Sequence, residues 1–162
     1  MKLNIKTLNI TLNAPNPPDG LLAALTILAP QAFSQDKAPA IGEQWPGLDA
    51  TYAGISLSSD GNSLAHLLLW NENPKENLEY DAAVTKAESI HPETGSHLPT
   101  RHQSITLFDN LQDHFERDYW HWTLTKTKSG KAAFYQDFSL GLQDGLGLSY
   151  EARVRAVSEI PL

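Results

Sequence analysis

The amino-acid sequence predicts a single domain of the α+β class, and three observations lead to that prediction. The chain has 162 residues, which is the length of one domain and not of two. Apolar residues make up 41% of it, enough for a hydrophobic core. Helix-type and strand-type patterns alternate without the regular β-α order that a parallel sheet requires. We therefore expect two main helices and a mostly antiparallel sheet.

The first 40 residues are predicted to form an extension that precedes the main domain, 41–162. Alternating apolar residues indicate a strand with a bulge, and a proline-rich cluster indicates a turn. Alanine and leucine then favour a short helix, and three prolines favour an extended connector. In chain order these segments are 3–12, 13–20, 21–29 and 30–46.

A β-hairpin is predicted at the start of the main domain. The segments 51–57 and 63–70 have strand-type composition, and the turn residues Ser59–Asn62 separate them. Two helices are predicted next. The segment 78–90 has helical spacing with acidic residues early, and 102–115 carries an apolar stripe. Thr100 and Gln103 match a capping box at the start of the second helix.

The last 44 residues or so are predicted to be rich in strands. Apolar and β-branched residues indicate three strands, and the glycines between the second and third indicate a bend. In chain order the segments are strand 119–127, turn 128–131, strand 132–140, bend Gly141–Gly147 and strand 148–157. On the first of these strands, Trp120 and Trp122 share one face, while Tyr119 and His121 share the other.

Charge is concentrated in the middle of the chain. The net charge is −7, and residues 42–100 account for all of it with nine acidic and two basic residues. Such an excess argues against general binding to DNA or RNA, since phosphate contacts need lysine and arginine. Two interpretations are open: a solvated face that keeps the protein soluble, or an acidic surface that docks a basic partner.

The sequence contains no residue pattern that predicts a cofactor, a metal or a catalytic group. Cysteine is absent, which excludes disulfides, thiolate metal sites and cysteine nucleophiles. The spacing of His91, His97 and His102 matches no zinc motif, and we expect solvated loop histidines. The glycines of 141–147 do not form a phosphate loop. Lys2 and Lys6 are followed by residues that include Asn and Thr and not by the apolar run of a signal peptide, and Leu21–Leu28 is far shorter than the roughly 20 residues of a membrane span. A cytoplasmic protein is therefore the default expectation.

Five phrases, taken in order, resemble a known family. They are Ile41–Gly47 with Tyr52–Ile55, Leu98–Arg101, Tyr119–Thr123, Phe134–Phe138 and Ala152–Val157. The pattern is similar to the Lcl C-terminal domain family, a prophage-type domain of unknown function. Asp49 and Ala50 stand where that pattern has glycines, His121 and Trp122 where it has two serines, and Ser158 where it has a closing arginine. The match covers about residues 41–157.

The resemblance implies a C-type-lectin-like fold, related to that of the formylglycine-generating enzyme. Relatives with that activity work through cysteines, which this chain lacks. Calcium-dependent sugar binding normally uses a Glu-Pro-Asn or Gln-Pro-Asp loop, and neither tripeptide is present. The Leu98–Arg101 phrase is interpreted as a structural joint, because Pro99 disfavours helix before it and Thr100 caps the helix after it.

The leading functional hypothesis is a non-enzymatic binding protein, encoded by a phage or prophage, that recognises a protein or glycan partner. Its contact surface would come from the late strands and loops, with Tyr119, His121, Lys128, Tyr135, Asp144 and Tyr150 as candidates. The alternatives are an inhibitor of a host defence nuclease that acts through an acidic surface, a virion or assembly protein, and an enzyme built on carboxylates or histidines.

Overall fold

The computed structural model describes residues 38–162, which form two β-sheets and two helices. This confirms the α+β class. The strand, turn and helix predicted within residues 1–30 lie outside the described residues. In chain order the elements are β1 (Ala50–Leu57), β2 (Leu64–Trp70), β3 (Asn77–Glu79), α1 (Tyr80–Ile90), α2 (Arg101–Leu111), β4 (Trp120–Lys126), β5 (Ala132–Asp137), β6 (Gln143–Gly147), β7 (Glu151–Arg153) and β8 (Val157–Pro161).

The smaller sheet joins the beginning of the described chain to its end. Its order is β1-β2-β8, and both pairings are antiparallel. The predicted hairpin is confirmed, with a bulge where the register shifts between Tyr52 and Gly54. Strand β8 pairs Val157 with Leu69 and Pro161 with Ala65. The last strand therefore closes the domain against the first hairpin.

The larger sheet has the order β3-β7-β4-β5-β6. All its pairings are antiparallel except that of β4 with β7, which run parallel and share the single pair His121–Arg153. The sequence prediction of one closing strand over 148–157 is wrong. The buried residues 154–156 instead carry the chain from β7 in this sheet to β8 in the smaller one.

The glycine-rich segment was predicted as a bend, and most of it is strand β6. Gly141 makes the turn before it, with a φ of 73°. Gly145 and Gly147 lie within the strand, where a side chain would approach neighbouring groups. A Cβ on Gly145 would lie 3.4 Å from Thr127, and one on Gly147 would lie 3.2 Å from the Tyr150 ring. Glycine in a strand often marks such a close approach and does not end the strand.

The two helices confirm the predicted ones, with shifted ends. Helix α2 begins with the predicted capping box, in which Thr100 accepts a hydrogen bond from the Gln103 N–H and the Gln103 side chain accepts one from the Thr100 N–H. It ends at Leu111, and a 3₁₀ turn over Gln112–His114 follows it. Helix α1 begins at Tyr80, since Leu78 belongs to β3.

Buried aromatic side chains hold the two sheets and the helices together. Trp70 and Trp122 are fully buried, and each indole N–H is satisfied: Trp70 donates to Ser158 Oγ at 2.8 Å and Trp122 to the Leu78 carbonyl at 2.7 Å. The Phe115 and Phe138 rings stack with centroids 3.6 Å apart. Burial of each such side chain stabilises the fold by about 2–3 kcal/mol.

Replacing Gly141 by alanine is expected to destabilise the domain more than the same change at Gly61. Both glycines have a positive φ, 73° and 72°, so both variants carry similar backbone strain. A Cβ at Gly141 would lie 2.9 Å from two atoms of the Phe108 ring, whereas at Gly61 it meets nothing within 4 Å. In urea unfolding, Gly141→Ala should lower the free energy of unfolding by about 1–3 kcal/mol more than Gly61→Ala does. Equal losses in the two variants would contradict a clash with Phe108.

Candidate functional site

An exposed tryptophan defines the candidate site. Trp120 is the first residue of β4, and 47% of it is exposed. Its ring stacks on that of Tyr135, with centroids 4.6 Å apart and planes inclined by 24°. Asp144 lies directly opposite Tyr135 on β6, and Tyr119 precedes Trp120 with 40% of its area exposed. We call Tyr119, Trp120, Tyr135 and Asp144 the aromatic surface.

Strand alternation separates Trp120 and Tyr135 from helix α2, whereas Tyr119 precedes β4 and is not placed by that alternation. Neighbouring residues of β5 point to opposite faces of the sheet, so Phe134 faces away from Tyr135. The guanidinium of Arg101, the first residue of α2, lies 3.9 Å from the Phe134 ring centroid. Helix α2 therefore covers the other face. On the near face, Tyr80 of α1 packs edge-on against Trp122 at 5.4 Å, and Trp120 lies beyond that contact.

A small pocket lies beside Trp120, at the seam between β4 and β7. Its volume is about 180 Å³, and we call it the seam pocket. Because β4 and β7 share only one residue pair, their first residues are not joined by a ladder at this point. Aromatic, acidic and amide groups line the pocket: Asn77, Asp118, Tyr119, Trp120, Glu151 and Ala152.

The charges around the site are mostly negative. Arg153 lies beneath the Tyr119 ring, 3.8 Å from its centroid, and its Nε is 3.0 Å from Glu116 Oε2. The charge of Arg153 is thus balanced by Glu116. Asp118 and Glu151 are exposed, and neither forms an ion pair with any residue in 38–162. The seam pocket consequently carries an excess of negative charge.

Hydrogen bonds fix the carboxylate at the end of β5. Burial alone raises the pKa of Asp137, but hydrogen bonds from Ser139 and from the Leu140 N–H outweigh it and lower the pKa below its usual value. Burial raises the pKa of the Tyr135 phenol, and the charges of Asp144 and Asp137 raise it further. Both effects stabilise the neutral phenol of Tyr135, which pairs across the strands with Asp144 and lies two residues before Asp137 on β5.

His121, predicted as a contact residue, does not belong to the aromatic surface, because only 3% of it is exposed. Its ring packs edge-on against Phe115 at 5.3 Å and Phe138 at 5.1 Å, and its Nδ1 lies 3.1 Å from the Tyr119 carbonyl oxygen. A carbonyl only accepts, so Nδ1 carries the proton. Burial, together with repulsion from Arg155, lowers the pKa of His121 to about 3.

Two further candidates lie away from Trp120. Lys128 is exposed in the turn after β4, so about 20 Å of strand separates it from Trp120. Tyr150 is 64% exposed, and its ring lies beside Gly147. The strand partner of Gly147 is Ala132, at the opposite end of β5 from the partner of Trp120. The structure therefore groups Tyr119, Tyr135 and Asp144, and leaves these two outside the aromatic surface.

The three histidines considered for a metal site have separate surroundings. His91 stacks on Trp70 with centroids 3.6 Å apart, and its Nδ1 is 3.0 Å from Glu93 Oε1. The Nε2 of His97 is 3.3 Å from Glu159 Oε1. His102 is exposed on α2. No three His, Asp or Glu residues within 38–162 are grouped so that they could hold a metal ion.

The sequence prediction missed several residues of the site. Trp120 was not among the candidate contact residues, and the pocket residues Asn77, Asp118 and Glu151 were not singled out. The alternation in β4 places Trp120 and Trp122 on one face of the strand. The sequence near β4 does not show that Tyr80 of α1 covers Trp122 and leaves Trp120 exposed. Asp118 directly before two aromatics was the one signal available near the pocket.

A scan against models of protein families finds no match to this chain, and a search of curated proteins finds none either. Of the two helices in residues 38–162, neither is long and apolar enough to cross a membrane.

Proposed function

We propose that this protein is a non-enzymatic binding protein that recognises a protein partner through the aromatic surface. The observation that carries the proposal is the exposure of Trp120, which is held in place by its stack on Tyr135. Tryptophan and tyrosine are enriched among residues that dominate binding energy, because each offers a large, rigid contact area. A preorganised exposed tryptophan loses little side-chain entropy when a partner covers it.

The dimensions of the site support a contact surface. Small-molecule sites usually enclose about 300–1,000 Å³, and the seam pocket holds about 180 Å³. Its two carboxylates are exposed, and the buried histidine with the depressed pKa packs among phenylalanine rings and does not line it. A site of this size accommodates one side chain of a partner, while the aromatic surface around it supplies the rest of the contact.

The fold is proposed to be C-type-lectin-like, in agreement with the resemblance to the Lcl C-terminal domain family. Support comes from the last strand, β8, which pairs with the first hairpin, and from the chain order, in which both helices follow that hairpin and precede the strands β4 to β7. The proposal that a phage or prophage encodes the protein rests on the same resemblance. A fold of this kind presents different ligand sites in different proteins, so the partner is argued from the site.

The proposed function is tested by partner capture with matched variants. Wild type, Trp120→Ala and the control Ile105→Ala are each used to capture proteins from a bacterial lysate, and the captured protein is then titrated against each variant. A partner that binds wild type and Ile105→Ala equally, and Trp120→Ala weakly, supports the proposal. Equal binding by all three variants, or binding to glycans alone, would overturn it.

A second candidate function is inhibition of a nuclease through an acidic surface. All nine acidic side chains between residues 42 and 100 are exposed, whereas this segment has only the cations Lys75 and Lys86. Such a surface suits a basic nucleic-acid groove. Replacing four of these residues, Glu72, Glu76, Glu79 and Glu88, by glutamine is expected to weaken binding to the captured partner about tenfold at low salt. Unchanged affinity at low salt would exclude this role.

A further inference from the structure

The seam pocket combines a side-chain-sized volume with two aromatic rings and two carboxylates. Trp120 is the first residue of β4 and Tyr119 directly precedes it, and Glu151 is the first residue of β7, where the two parallel strands are no longer paired. Asp118 precedes the aromatic pair. The four groups therefore reach the pocket from two segments, 118–120 and the start of β7, that are about 30 residues apart in the chain.

Each of the two aromatic rings of the pocket already stacks on a planar group of the protein itself. The Tyr119 ring carries the guanidinium of Arg153 on one side, 3.8 Å from its centroid. The Trp120 ring stacks on the Tyr135 ring on one side, and 47% of Trp120 is still exposed. An indole face attracts a cation through its quadrupole, and indole is the strongest of the aromatic side chains in this respect.

The carboxylates of the pocket lack a cation from the described part of the chain. Glu116 neutralises Arg153, and the remaining ion pairs within residues 38–162 do not include Asp118 or Glu151. Both side chains are exposed and free to turn toward a ligand. An anion would be repelled here, and a neutral group would leave the two charges unpaired. A cation satisfies them.

From these observations we infer that the seam pocket takes the guanidinium group of an arginine side chain of the protein partner. This inference rests on the proposed function and adds the chemistry of the recognised group. A guanidinium is planar, so it stacks on Trp120 while its edge donates hydrogen bonds to Asp118 and Glu151. A lysine ammonium gains the charge attraction but neither the stacking area nor the paired donors.

The test uses the indole N–H signal of Trp120 in NMR spectra of the full chain. This signal is identified by its absence in Trp120→Phe. Arginine, citrulline and lysine, each capped at both ends, are titrated as probes. Citrulline has nearly the shape of arginine without its charge. We expect saturable shifts of the Trp120 signal with arginine, and at least tenfold weaker binding of lysine and of citrulline.

The carboxylates are tested with a charge-matched pair of double variants. Asp118→Asn/Glu151→Gln should weaken arginine binding at least tenfold, whereas Asp109→Asn/Glu88→Gln, which removes two exposed charges on the helices, should leave it unchanged. Equal binding of arginine and citrulline, or no shift of Trp120 with arginine, would overturn the inference. The proposed function would survive that result as long as Trp120→Ala alone abolishes binding of the captured partner.

Discussion

Replacing Trp120 by alanine is expected to weaken binding of the captured partner at least about 30-fold, which corresponds to about 2 kcal/mol. The loss follows from the removal of a large ring that is exposed, oriented by Tyr135 and flanked by carboxylates. The fold should remain intact, because Trp122 and not Trp120 fills the core. Loss of the stack on Tyr135 should cost about 1 kcal/mol of stability. Isothermal titration and urea unfolding measure the two quantities.

The matched control for this experiment is Ile105→Ala. Ile105 is 48% exposed, nearly the same fraction as Trp120, and lies on α2 across the larger sheet from the aromatic surface. It should bind the partner as wild type does. Trp120→Phe should restore part of the affinity, since a phenylalanine ring can still stack on Tyr135. A parallel loss of affinity in the isoleucine variant would show that general loss of exposed apolar area, and not the site, is responsible.

The stability of the domain is expected to fall steeply as the pH drops below 6.5, because of His121. Its pKa is about 3 in the folded protein, while an unfolded histidine has a pKa of about 6.5. Below pH 6.5 the unfolded chain therefore binds a proton that the folded chain excludes, and stability decreases until the pH approaches 3. Between pH 6.5 and 5 this linkage should remove about 1.5 kcal/mol, and by pH 3 a few kcal/mol.

The slope of stability against pH identifies the residue responsible. His121→Asn keeps a group that can donate to the Tyr119 carbonyl and removes the titration, so its slope between pH 6.5 and 5 should be nearly flat. The control His102→Gln alters a histidine exposed on α2 and should keep the wild-type slope. The slope is informative even if the asparagine variant is less stable overall. A wild-type slope in His121→Asn would contradict this assignment. At lower pH, Asp137 adds a loss of the same sign, since its folded pKa is depressed.

The candidate site shows which of its residues the sequence patterns predict correctly and which they do not. Tyr135 and Asp144 were predicted as contact residues and lie together, because they are partners on β5 and β6, whose pairing follows from a short turn. The predicted Tyr119 directly precedes Trp120, which stacks on Tyr135. His121 was predicted on the same grounds and is buried. Alternation assigns it to the face opposite Trp120, and α2 with Phe115 and Phe138 covers that face. Which face of a strand meets water depends on elements distant in sequence.

The elements predicted best are those that nearest neighbours determine. The hairpin of β1 and β2 follows from two strand-type runs around an Asp-Gly turn, and helix α2 follows from a stripe of apolar residues behind the Thr100 cap. The absence of cysteine is likewise a property of the sequence alone. Each of these features involves residues a few positions apart, so a local pattern is sufficient to reveal it.

Only the tertiary structure decided the features on which the proposed function depends. It divided residues 148–157 between two sheets, since β7 and β8 find partners about 75 and 90 residues earlier in the chain. It left Trp120 exposed, because Tyr80 covers Trp122 and stops short of it. It brought Asp118 and Glu151 to one pocket. The burial of a side chain and the distance between two charged groups depend on contacts between distant segments. The pattern of any one segment therefore does not predict them.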